Sequence, residues 1–576
     1  MARFQPIYDI AELCSQKGLN QAILCPGSRC APLTLAFSRH PQITTRTFSD
    51  ERSAAFIALG IAQQRKSPAI LLCTSGSAAY NFAPAVAEAF FSETPLIIFT
   101  ADRPAEWIAQ HDGQTIFQSG IFGKHVKGSF QLPQEYDHPD SQWAINRIVN
   151  DAINLSFQEP KGPVHINAPF REPLYPGKEE EFKFNSAVRV IDEFPSSFML
   201  TSEQKSAISS EWNQYNNVLL VAGQQEPDRS TQDSIRNLLT HHAIPVVGDI
   251  ISNLHGIENL ISHSDLFLGQ AGDDIKKILH PDLLITFGKS TISKNLKLFL
   301  RKFAPRAHWH IQSSGMVADP FQNVTKVFNS SPGEVFDFIA SLTTNPSFEN
   351  QKQKNFCNLW EVEERKAIRI LNDFFPQKTL AELEIVRDVI HALPQSCNLH
   401  LANSMSVRYA NFIGLTANQK GVQVYANRGT SGIDGCTSTA IGHALSNGQP
   451  NILITGDLAF FYDRNAFWHN YPIPNLHVLV LNNHGGIIFK IIDGPGSLPE
   501  ADEYFITHQK LNARKLCEEF GFEYLLLDNR KKVKNLLKDF TEFDNKTKIL
   551  EFESDVRLNK EAFDNLKKQI KKSYES

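Results

Sequence analysis

Two residue patterns in the last third of the chain could hold a metal ion together with a diphosphate. Gly456 and Asp457 directly follow the apolar run Ile452–Thr455. Asn483 stands 26 residues after the aspartate, at the end of the next apolar run. Both runs predict buried strands, and neighbouring parallel strands would bring these side chains to one edge of a sheet. Because Mg²⁺ shares oxygen ligands with phosphates, the sequence predicts a Mg²⁺–diphosphate site built from a carboxylate, an amide oxygen and a backbone carbonyl.

Each half of this pattern alone is ordinary loop chemistry. A Gly-Asp pair at a strand end is common in loops, and so are asparagines before glycines such as Gly485 and Gly486. Their spacing on consecutive predicted strands favours the functional interpretation. A Rossmann or P-loop site is disfavoured, because no GxGxxG follows an early strand and no GxxxxGK[ST] occurs in the chain.

A single carboxylate near the N-terminus offers a second kind of chemistry. Glu51 lies between the predicted strand Thr44–Phe48 and the helical run Ser53–Gln64, which is rich in small residues. A carboxylate facing N1′ of an aminopyrimidine shares a proton with it, and the imino form can then deprotonate a thiazolium carbon. Burial in an apolar interface would raise the pKa of such an acid. The alternative is a glutamate that complements the helix macrodipole.

One cofactor requires both chemistries. Thiamine diphosphate (ThDP) carries an aminopyrimidine and a diphosphate, and it can bind between two α/β domains. Glu51 alone would favour the macrodipole explanation, but its pairing with Asp457 and Asn483 reverses that preference. The sequence therefore predicts ThDP and Mg²⁺ as cofactors, with the organic chemistry supplied by the cofactor.

Short apolar strands alternate with longer helical stretches along the whole chain. The strands end in small or polar residues such as Pro26–Ser28 and Thr74–Ser77, which is typical of parallel sheets covered by helices on both faces. The charged stretch Gly177–Lys183 and the polar stretch Thr343–Asn355 separate three blocks. We predict an α/β fold with three doubly wound parallel-sheet domains at residues 1–180, 181–350 and 351–576.

The predicted strands are spread evenly over the three blocks. Besides Thr44–Phe48, they are Ala22–Cys25, Ala69–Cys73, Leu96–Thr100 and Val164–Asn167 in the first, Val218–Ala222, Pro245–Gly248, Leu283–Phe287 and His308–Ile311 in the second, and Val422–Tyr425, Ile452–Thr455, His477–Leu481 and Lys548–Phe552 in the third.

Composition excludes several classes of partner and location. The net charge of −5 gives no basic field for nucleic acid, and the run Lys567–Lys572 is interpreted as a solvated helix end. None of the eight cysteines forms a CxxC pair, which favours reduced thiols over a disulfide framework or a zinc ribbon. There is no signal-peptide core, and no apolar run approaches the ~18 residues of a membrane helix. We expect a cytoplasmic protein with neither nucleic-acid nor membrane partners.

From end to end the chain resembles ThDP-dependent decarboxylases and carboligases. Within that family it looks like the enzymes of menaquinone (vitamin K2) biosynthesis that join 2-oxoglutarate to isochorismate. The motifs cover both predicted cofactor domains, whereas the middle block matches mainly in rhythm. They are CPGSR at 25–29, DERSAAF at 50–56, CTSGSA at 73–78, TADRP at 100–104, GPVHIN at 162–167, PFREPL at 169–174, NSM at 403–405, NRGTSGIDG at 427–435 and GDL at 456–458.

The resemblance implies a role for each cofactor residue. Glu51 would activate the cofactor, and Ile433 would be the apolar wedge that holds it bent. Asp457 and Asn483 would bind Mg²⁺ (with Mn²⁺ as a substitute) through side chains, and Gly485 through its carbonyl. The other implied cofactor contacts are Ser404, Met405 and Gly456.

The resemblance also implies the substrates and the reaction. The donor would be 2-oxoglutarate, which loses CO₂, and its succinyl-semialdehyde carbanion would add 1,4 to isochorismate. Both substrates are dicarboxylates, so fixed cations are expected, preferably arginines. Arg408 and Arg428 would hold the donor, and Gln114 would lie near the reacting carbon. The implied acceptor residues are Ser28, Arg29, Arg103 and Lys294.

In this family the two cofactor domains meet across a subunit interface. The resemblance therefore implies a homodimer or homotetramer with active sites at that interface. A carboligase of the acetohydroxyacid synthase kind is the alternative, but pyruvate has one carboxylate and would not require so many arginines. A non-catalytic ThDP-binding protein would be expected to lack the acid at 51 or the metal ligands, and a generic nucleotide-binding protein would be expected to have a phosphate loop.

A few positions depart from the family pattern. His484 replaces a frequent asparagine, but the metal ligand is the preceding residue. Asn295 stands where some relatives have arginine, which weakens the acceptor assignment there. The other departures are Cys30, Ser406 and Leu458, the last being common in this branch.

Overall fold

Three parallel sheets organise the protein. The structure is a computed structural model that describes residues 4–177, 183–194, 198–342, 348–375, 380–491 and 494–575. Its sheets have six, five and six strands, so the predicted α/β fold with three doubly wound parallel sheets is confirmed. The predicted domain limit after residue 180 lies outside the described residues. The limit after residue 350 falls near the start of a helix that spans Phe348–Phe374, and the three domain ranges stay predictions.

The contacts between residues define two compact units. The first unit comprises Met1–Pro195, Asn427–Asn451 and Ala459–Leu476, and it contains the first sheet. The second unit comprises Ser196–Ala426, Ile452–Leu458 and His477–Ser576, and it contains the second and third sheets.

The first sheet has the strand order β2-β1-β3-β4-β6-β5. Its central strands β3 and β4 are buried along their whole length, as expected for strands covered by helices on both faces. The order reverses between β1 and β3, which is where open α/β sheets bind ligands. The strands are β1 (Gln21–Leu24), β2 (Thr44–Thr47), β3 (Ala69–Cys73), β4 (Leu96–Asp102), β5 (Ser129–Gln131) and β6 (Val164–Pro169). The helices are α1 (Gln5–Gln16), α2 (Ala31–Arg39), α3 (Glu51–Arg65), α4 (Ser77–Asn81), α5 (Ala83–Ser92) and α6 (Pro139–Phe157).

The second sheet has the order β11-β10-β9-β7-β8 and reverses between β7 and β9. Its strands are β7 (Val218–Ala222), β8 (Val246–Gly248), β9 (Leu283–Phe287), β10 (Ala307–Gln312) and β11 (Lys326–Asn329). Its helices are α7 (Ser202–Trp212), α8 (Arg229–His241), α9 (Ser264–Gln270), α10 (Asp273–Ile278), α11 (Lys294–Lys302) and α12 (Pro332–Ala340). The long helix α13 (Phe348–Phe374) follows.

The third sheet repeats the topology of the first, with the order β13-β12-β14-β15-β17-β16. Its strands are β12 (Asn398–Leu401), β13 (Gln423–Tyr425), β14 (Asn451–Gly456), β15 (Leu476–Asn482), β16 (Glu523–Leu527) and β17 (Lys548–Glu553). The remaining helices are α14 (Glu382–Ala392), α15 (Met405–Ile413), α16 (Cys436–Ala444), α17 (Asp457–Tyr462), α18 (Ile488–Ile491), α19 (Arg514–Phe520), α20 (Val533–Phe540) and α21 (Val556–Glu575).

Helices α3 and α16 pack closely within the first unit. A Cβ at Gly60 would lie 2.1 Å from the carbonyl oxygen of Thr439, and a Cβ at Gly442 would lie 2.2 Å from that of Ile57. Such distances exclude any side chain, so the backbones of the two helices touch directly. Gly60, one of the small residues noted in the sequence after Glu51, is therefore required by this crossing.

The sequence located the central strands well and the edge strands poorly. All thirteen predicted strands, Thr44–Phe48 among them, overlap observed ones, whereas β5, β11, β12 and β16 were not predicted. Three of these four have three or four residues, and β5, β11 and β16 are edge strands, so their apolar pattern is too short to recognise. Helix α3 begins at Glu51 rather than at Ser53, because Asp50 caps its N-terminus by accepting a hydrogen bond from the Ser53 N–H.

No helix in the described part of the chain combines the length and the apolar character needed to cross a membrane.

An acid at the end of β8 fixes the start of α11. Asp249 is buried, and its Oδ2 accepts hydrogen bonds from the N–H groups of Ile292 and Ser293, the latter at 3.2 Å. Asp265 accepts from the Ser293 hydroxyl at 2.7 Å and from the Asn295 N–H at 2.9 Å. Together the two acids hold the backbone on either side of residue 294.

Replacing Asp249 with asparagine should change how the free energy of unfolding depends on pH. Burial raises the pKa of Asp249 from 3.8 to about 6; Asp265 adds to the rise, and the two backbone N–H groups oppose it. Between these values the folded protein keeps a proton that the unfolded chain has released. The group therefore stabilises the fold fully below about pH 4, and that contribution is lost as the pH rises through about 6.

We expect the stability of the wild type relative to Asp249→Asn to fall by up to about 1.4 kcal/mol per pH unit in that window. Urea titrations across the window measure it, with the exposed Asp274→Asn as the matched control. A difference that does not change with pH would contradict the assignment.

Candidate active site

The predicted metal ligands lie at the carboxyl ends of adjacent strands. Asp457 follows β14, Asn483 follows β15, and these strands are neighbours in the third sheet. Gln509 links the two ends, because its Nε2 donates to Asp457 Oδ2 at 2.7 Å and to Asn482 Oδ1 at 3.0 Å. Asp457 is 2% and Asn483 5% exposed, so the sheet edge holds both polar groups away from bulk water.

The amide of Asn483 is held from one side only. Its Nδ2 donates to Glu382 Oε1 at 2.8 Å. Its Oδ1 is buried and has no hydrogen-bond partner among the described residues. A buried acceptor without a partner costs about 1–3 kcal/mol, so this oxygen is suited to a ligand that the protein itself does not supply.

Burial shifts the acids of this region towards their protonated forms. It raises the pKa of Asp457 to about 6, an effect that the hydrogen bond from Gln509 opposes. It raises the pKa of Glu382 to about 7, against hydrogen bonds from Asn483 and Ser554. A cation at this edge would favour the ionised carboxylate of Asp457.

These residues fit Mg²⁺. A buried carboxylate and an unpartnered amide oxygen are hard oxygen donors of the kind that Mg²⁺ selects. The carbonyl of Gly485 accepts one hydrogen bond, from the Ile487 N–H at 3.1 Å, and retains a second lone pair. The described residues contain no cluster of three or more His, Cys, Asp or Glu side chains that could hold a metal, so a site made for a softer metal is not found among them.

The two glycines at this edge have different roles. A Cβ at Gly456 would meet no atom of the described residues within 4 Å, so there is open space beside the end of β14. A Cβ at Gly485 would lie 2.8 Å from the side chain and 3.0 Å from the carbonyl oxygen of Ile506. Gly456 therefore borders room for a ligand, while Gly485 is required by packing.

Glu51 begins α3, and its neighbours in sequence fix this end of the helix. Asn81 Nδ2 donates to Glu51 Oε2 at 3.1 Å. Arg52 donates to the Tyr462 carbonyl at 2.8 Å and lies over the Tyr462 ring. Asn465 donates to the capping acid Asp50 at 2.7 Å. The carboxylate thus stands at a helix end that is anchored on both sides, while it is itself only half-buried.

A buried glutamate positions the loop that carries Arg428 and Ile433. Glu88 is 1% exposed, and it accepts from the N–H groups of Gly429 at 2.8 Å and Thr430 at 2.6 Å. The Thr430 hydroxyl adds a third bond at 2.8 Å. Arg428 and Ile433, on either side of the held segment, are half-buried. Sequence reasoning missed Glu88, although it is the single charged residue of the apolar helix α5 and an acid in such a helix needs partners.

Two of the predicted acceptor cations lie together at the end of the first sheet. Arg29 is 8% exposed and donates to the Phe170 carbonyl at 3.0 Å and to Glu172 at 3.2 Å. Arg103 pairs with Asp112. Burial and the nearby Arg103 lower the pKa of Arg29, and Glu172 opposes this. In both pairs the guanidinium group is less exposed than the carboxylate that it pairs with.

Ser28 and Gln114 lie on exposed loops of the same unit. Ser28 follows β1, and its carbonyl accepts from the Ala31 N–H at 3.1 Å. Gln114 has a φ of +58°, in the left-handed region, and a Cβ at Gly76 would lie 3.2 Å from its Cα. Gln118, another residue that the sequence did not reveal, holds this approach by accepting from the Gly76 N–H at 2.8 Å.

The remaining predicted residues begin helices of the second unit. Ser404 has a φ of +72° and precedes α15, whose first residue, Met405, is buried. Arg408 donates back to the Ser404 carbonyl at 2.5 Å and is half-buried. Lys294 is the exposed first residue of α11, on the backbone segment that Asp249 and Asp265 hold.

Each of the two units carries some of the predicted site residues. Within the second unit the structure brings Asp457 and Asn483 to one edge and places Ser404 beside Arg408. Within the first unit it brings Arg29 to Arg103 and Gln114 to the loop of Gly76. The first unit also carries Ser28, Glu51, Arg428 and Ile433, and the second also carries Met405, Lys294, Gly456 and Gly485.

Comparison with known proteins agrees with this chemistry. Residues 8–121 match the model of the N-terminal TPP binding domain of thiamine pyrophosphate enzymes, and residues 197–401 match that of the thiamine pyrophosphate middle domain. A 2-succinyl-5-enolpyruvyl-6-hydroxy-3-cyclohexene-1-carboxylate synthase of Cytophaga hutchinsonii is 46% identical over 99% of this chain and 100% of its own length. Proteins of the same name from Flavobacterium johnsoniae and Bacteroides fragilis are 37% and 36% identical over 95% and 96% of this chain, and over 97% of their own lengths. Identity at this level over the whole length means that the chain belongs to the 2-succinyl-5-enolpyruvyl-6-hydroxy-3-cyclohexene-1-carboxylate (SEPHCHC) synthase family of thiamine pyrophosphate enzymes.

Proposed function

We propose that this protein is a transferase of menaquinone biosynthesis that makes SEPHCHC from 2-oxoglutarate and isochorismate. The reaction decarboxylates 2-oxoglutarate and adds the remaining four-carbon unit 1,4 to isochorismate, with release of CO₂. The full-length identity to synthases of that name carries the choice of substrates, and the buried, unpartnered Oδ1 of Asn483 at the strand end next to Asp457 supports the cofactor site. A diphosphate-bound cation is the ligand that such a pair of oxygens accepts best.

The cofactor residues have separate tasks in this proposal. When bound, ThDP supplies the electron sink for decarboxylation. Asp457, Asn483 and the Gly485 carbonyl would hold Mg²⁺, which would offset the charge of the diphosphate. Glu51 would exchange a proton with the aminopyrimidine, and Ile433 would be the apolar wedge that packs against the cofactor. The cofactor would also be lined by Ser404, Met405 and Gly456.

The substrate residues recognise four carboxylates. Arg408 and Arg428 hold the donor, and Ser28, Arg29, Arg103 and Lys294 hold the acceptor. Hydrogen bonds to backbone carbonyls hold two of these cations in place: Arg408 donates to Ser404, and Arg29 donates to Phe170. Gln114 lies near the reacting carbon. A planar guanidinium binds a carboxylate through two parallel hydrogen bonds. A donor with two carboxylates can use this interaction twice, whereas a donor with one carboxylate can use it only once.

The proposal extends to assembly and location. The chain forms a homodimer or homotetramer in which each active site combines the Glu51 region of one subunit with the Asp457 region of another, and the three sheets correspond to domains at residues 1–180, 181–350 and 351–576. It works in the cytoplasm, in keeping with eight cysteines that are all free thiols.

The purified protein with ThDP and Mg²⁺ should consume isochorismate with 2-oxoglutarate and not with pyruvate as the donor. Glu51→Gln should reduce the rate by at least about 100-fold, since it removes the proton exchange, while ThDP still binds. Isochorismate loss is followed by absorbance and ThDP binding by calorimetry, with the exposed Glu203→Gln as the control. Consumption with pyruvate alone would favour the acetohydroxyacid synthase alternative, and full activity of Glu51→Gln would remove the proton role.

Arg408→Ala should raise the KM for 2-oxoglutarate by roughly 10- to 100-fold, the cost of one charged hydrogen-bonding group. The KM for isochorismate should stay near the wild-type value. Steady-state kinetics with each substrate varied in turn measure both, and the exposed Arg369→Ala is the matched control. An effect confined to isochorismate would reverse the assignment of the two pockets.

Two inactive variants should complement each other if the sites are shared between subunits. In a dimer of one Glu51→Gln chain and one Asp457→Ala chain, one site has both defects and the other has neither. We therefore expect about half of the wild-type activity from the symmetry of the dimer. Co-expression with two different affinity tags isolates the mixed dimer. No activity in a mixed dimer would mean that each site lies within one chain.

A further inference from the structure

One buried acid beside the proposed metal site belongs to none of the sequence motifs. Glu382 is the first residue of α14 and is 1% exposed. It stands 101 residues before Asn483 in the chain. An acid so deeply buried needs several partners to offset its desolvation, and those partners reveal what it does.

A closed set of hydrogen bonds fixes the Glu382 carboxyl. The Ser554 hydroxyl donates to Oε1 at 2.8 Å, and Asn559 Nδ2 donates to the Ser554 oxygen at 2.9 Å. Asn559 Oδ1 in turn accepts from the Glu382 N–H at 2.8 Å. Backbone and side chain of Glu382 are therefore anchored by the same asparagine, so Oε1 has a fixed position.

That fixed oxygen determines which way the Asn483 amide faces. An amide has a donor end and an acceptor end of nearly equal size, and the groups around it decide their placement. Oε1 already accepts from Ser554 and accepts again from Asn483 Nδ2 at 2.8 Å. The carbonyl end must then point the opposite way, where Oδ1 is buried without a partner among the described residues.

We propose that Glu382 is a positioning residue for the metal site, which it serves by holding the Asn483 amide with its oxygen towards the cation. In this proposal it acts through Asn483 rather than as a metal ligand. The inference rests on the proposed function, because it takes the ion that Asn483 Oδ1 faces to be the Mg²⁺ that binds with ThDP. Outer groups of this kind change metal affinity roughly 10- to 100-fold when they are lost.

Mn²⁺ binding to the full chain in the presence of ThDP tests this role, followed by the paramagnetic resonance signal of free Mn²⁺. Glu382→Met removes the acceptor at similar length and should weaken Mn²⁺ binding roughly 10- to 100-fold. Glu382→Gln keeps an acceptor oxygen and should stay within about threefold of the wild type. Equal losses in both variants would overturn the role of the acceptor in favour of simple charge. The exposed Glu203→Met is the control.

A second pair of variants tests whether Glu382 acts through Asn483. In an Asn483→Ala background, Glu382→Met should cause no further loss, because the amide that it orients is absent; an additive loss would overturn the inference. If Glu382→Met does not fold, Glu382→Asp withdraws the oxygen by one methylene and should weaken binding as well.

The inference and the proposed function can fail separately. A wild-type protein that binds Mn²⁺ with ThDP, while Glu382→Met binds equally well, would overturn the positioning role alone. A wild-type protein that binds neither Mn²⁺ nor ThDP would overturn the proposed function and this inference with it.

Discussion

The proposed pairing of a doubly charged cation with a diphosphate would constrain this protein more than any other interaction. The cation requires oxygen atoms that already point at it, because reorganising them at the moment of binding would consume the binding energy. Parallel strands meet this need, since their carboxyl ends collect loops at one edge. Asp457 and Asn483 occupy such an edge at the ends of β14 and β15. Gln509 fixes the Asp457 side chain by donating a hydrogen bond to it, and Glu382 fixes that of Asn483 by accepting one from it.

The thiamine diphosphate family could be predicted from the sequence because its motifs are short and local. The apolar runs and their spacing are enough to predict two buried strands. One is followed at once by Gly456-Asp457 and the other by asparagines. The three sheets follow from the same alternation of apolar runs and helices. Glu51 was singled out by its pairing with Asp457 and Asn483, and its role stays a prediction. The structure explains one small residue of the helix that follows it, because Gly60 and Gly442 lie against carbonyl groups of the opposite helix.

The residues that hold the site residues in place could not be predicted from the sequence, because their partners are far away along the chain. Glu382 and Asn483 are 101 residues apart, and Glu88 and Gly429 are 341 apart. No local periodicity connects such pairs, so only the fold reveals them. Edge strands such as β5 were missed for a different reason. Three residues show too little alternation of apolar and polar side chains to distinguish a strand from a loop.

The unpartnered Asn483 oxygen has a consequence for the lifetime of the protein. In the proposed function a cation pairs with it, and without that cation the folded chain would carry a cost of about 1–3 kcal/mol that the unfolded chain, open to water, would not. Because a ligand that binds only the folded state adds to its stability, molecules without cofactor open more often and are exposed to proteolysis for longer. Supply of thiamine diphosphate would then set how much of this enzyme persists as well as how fast each copy works.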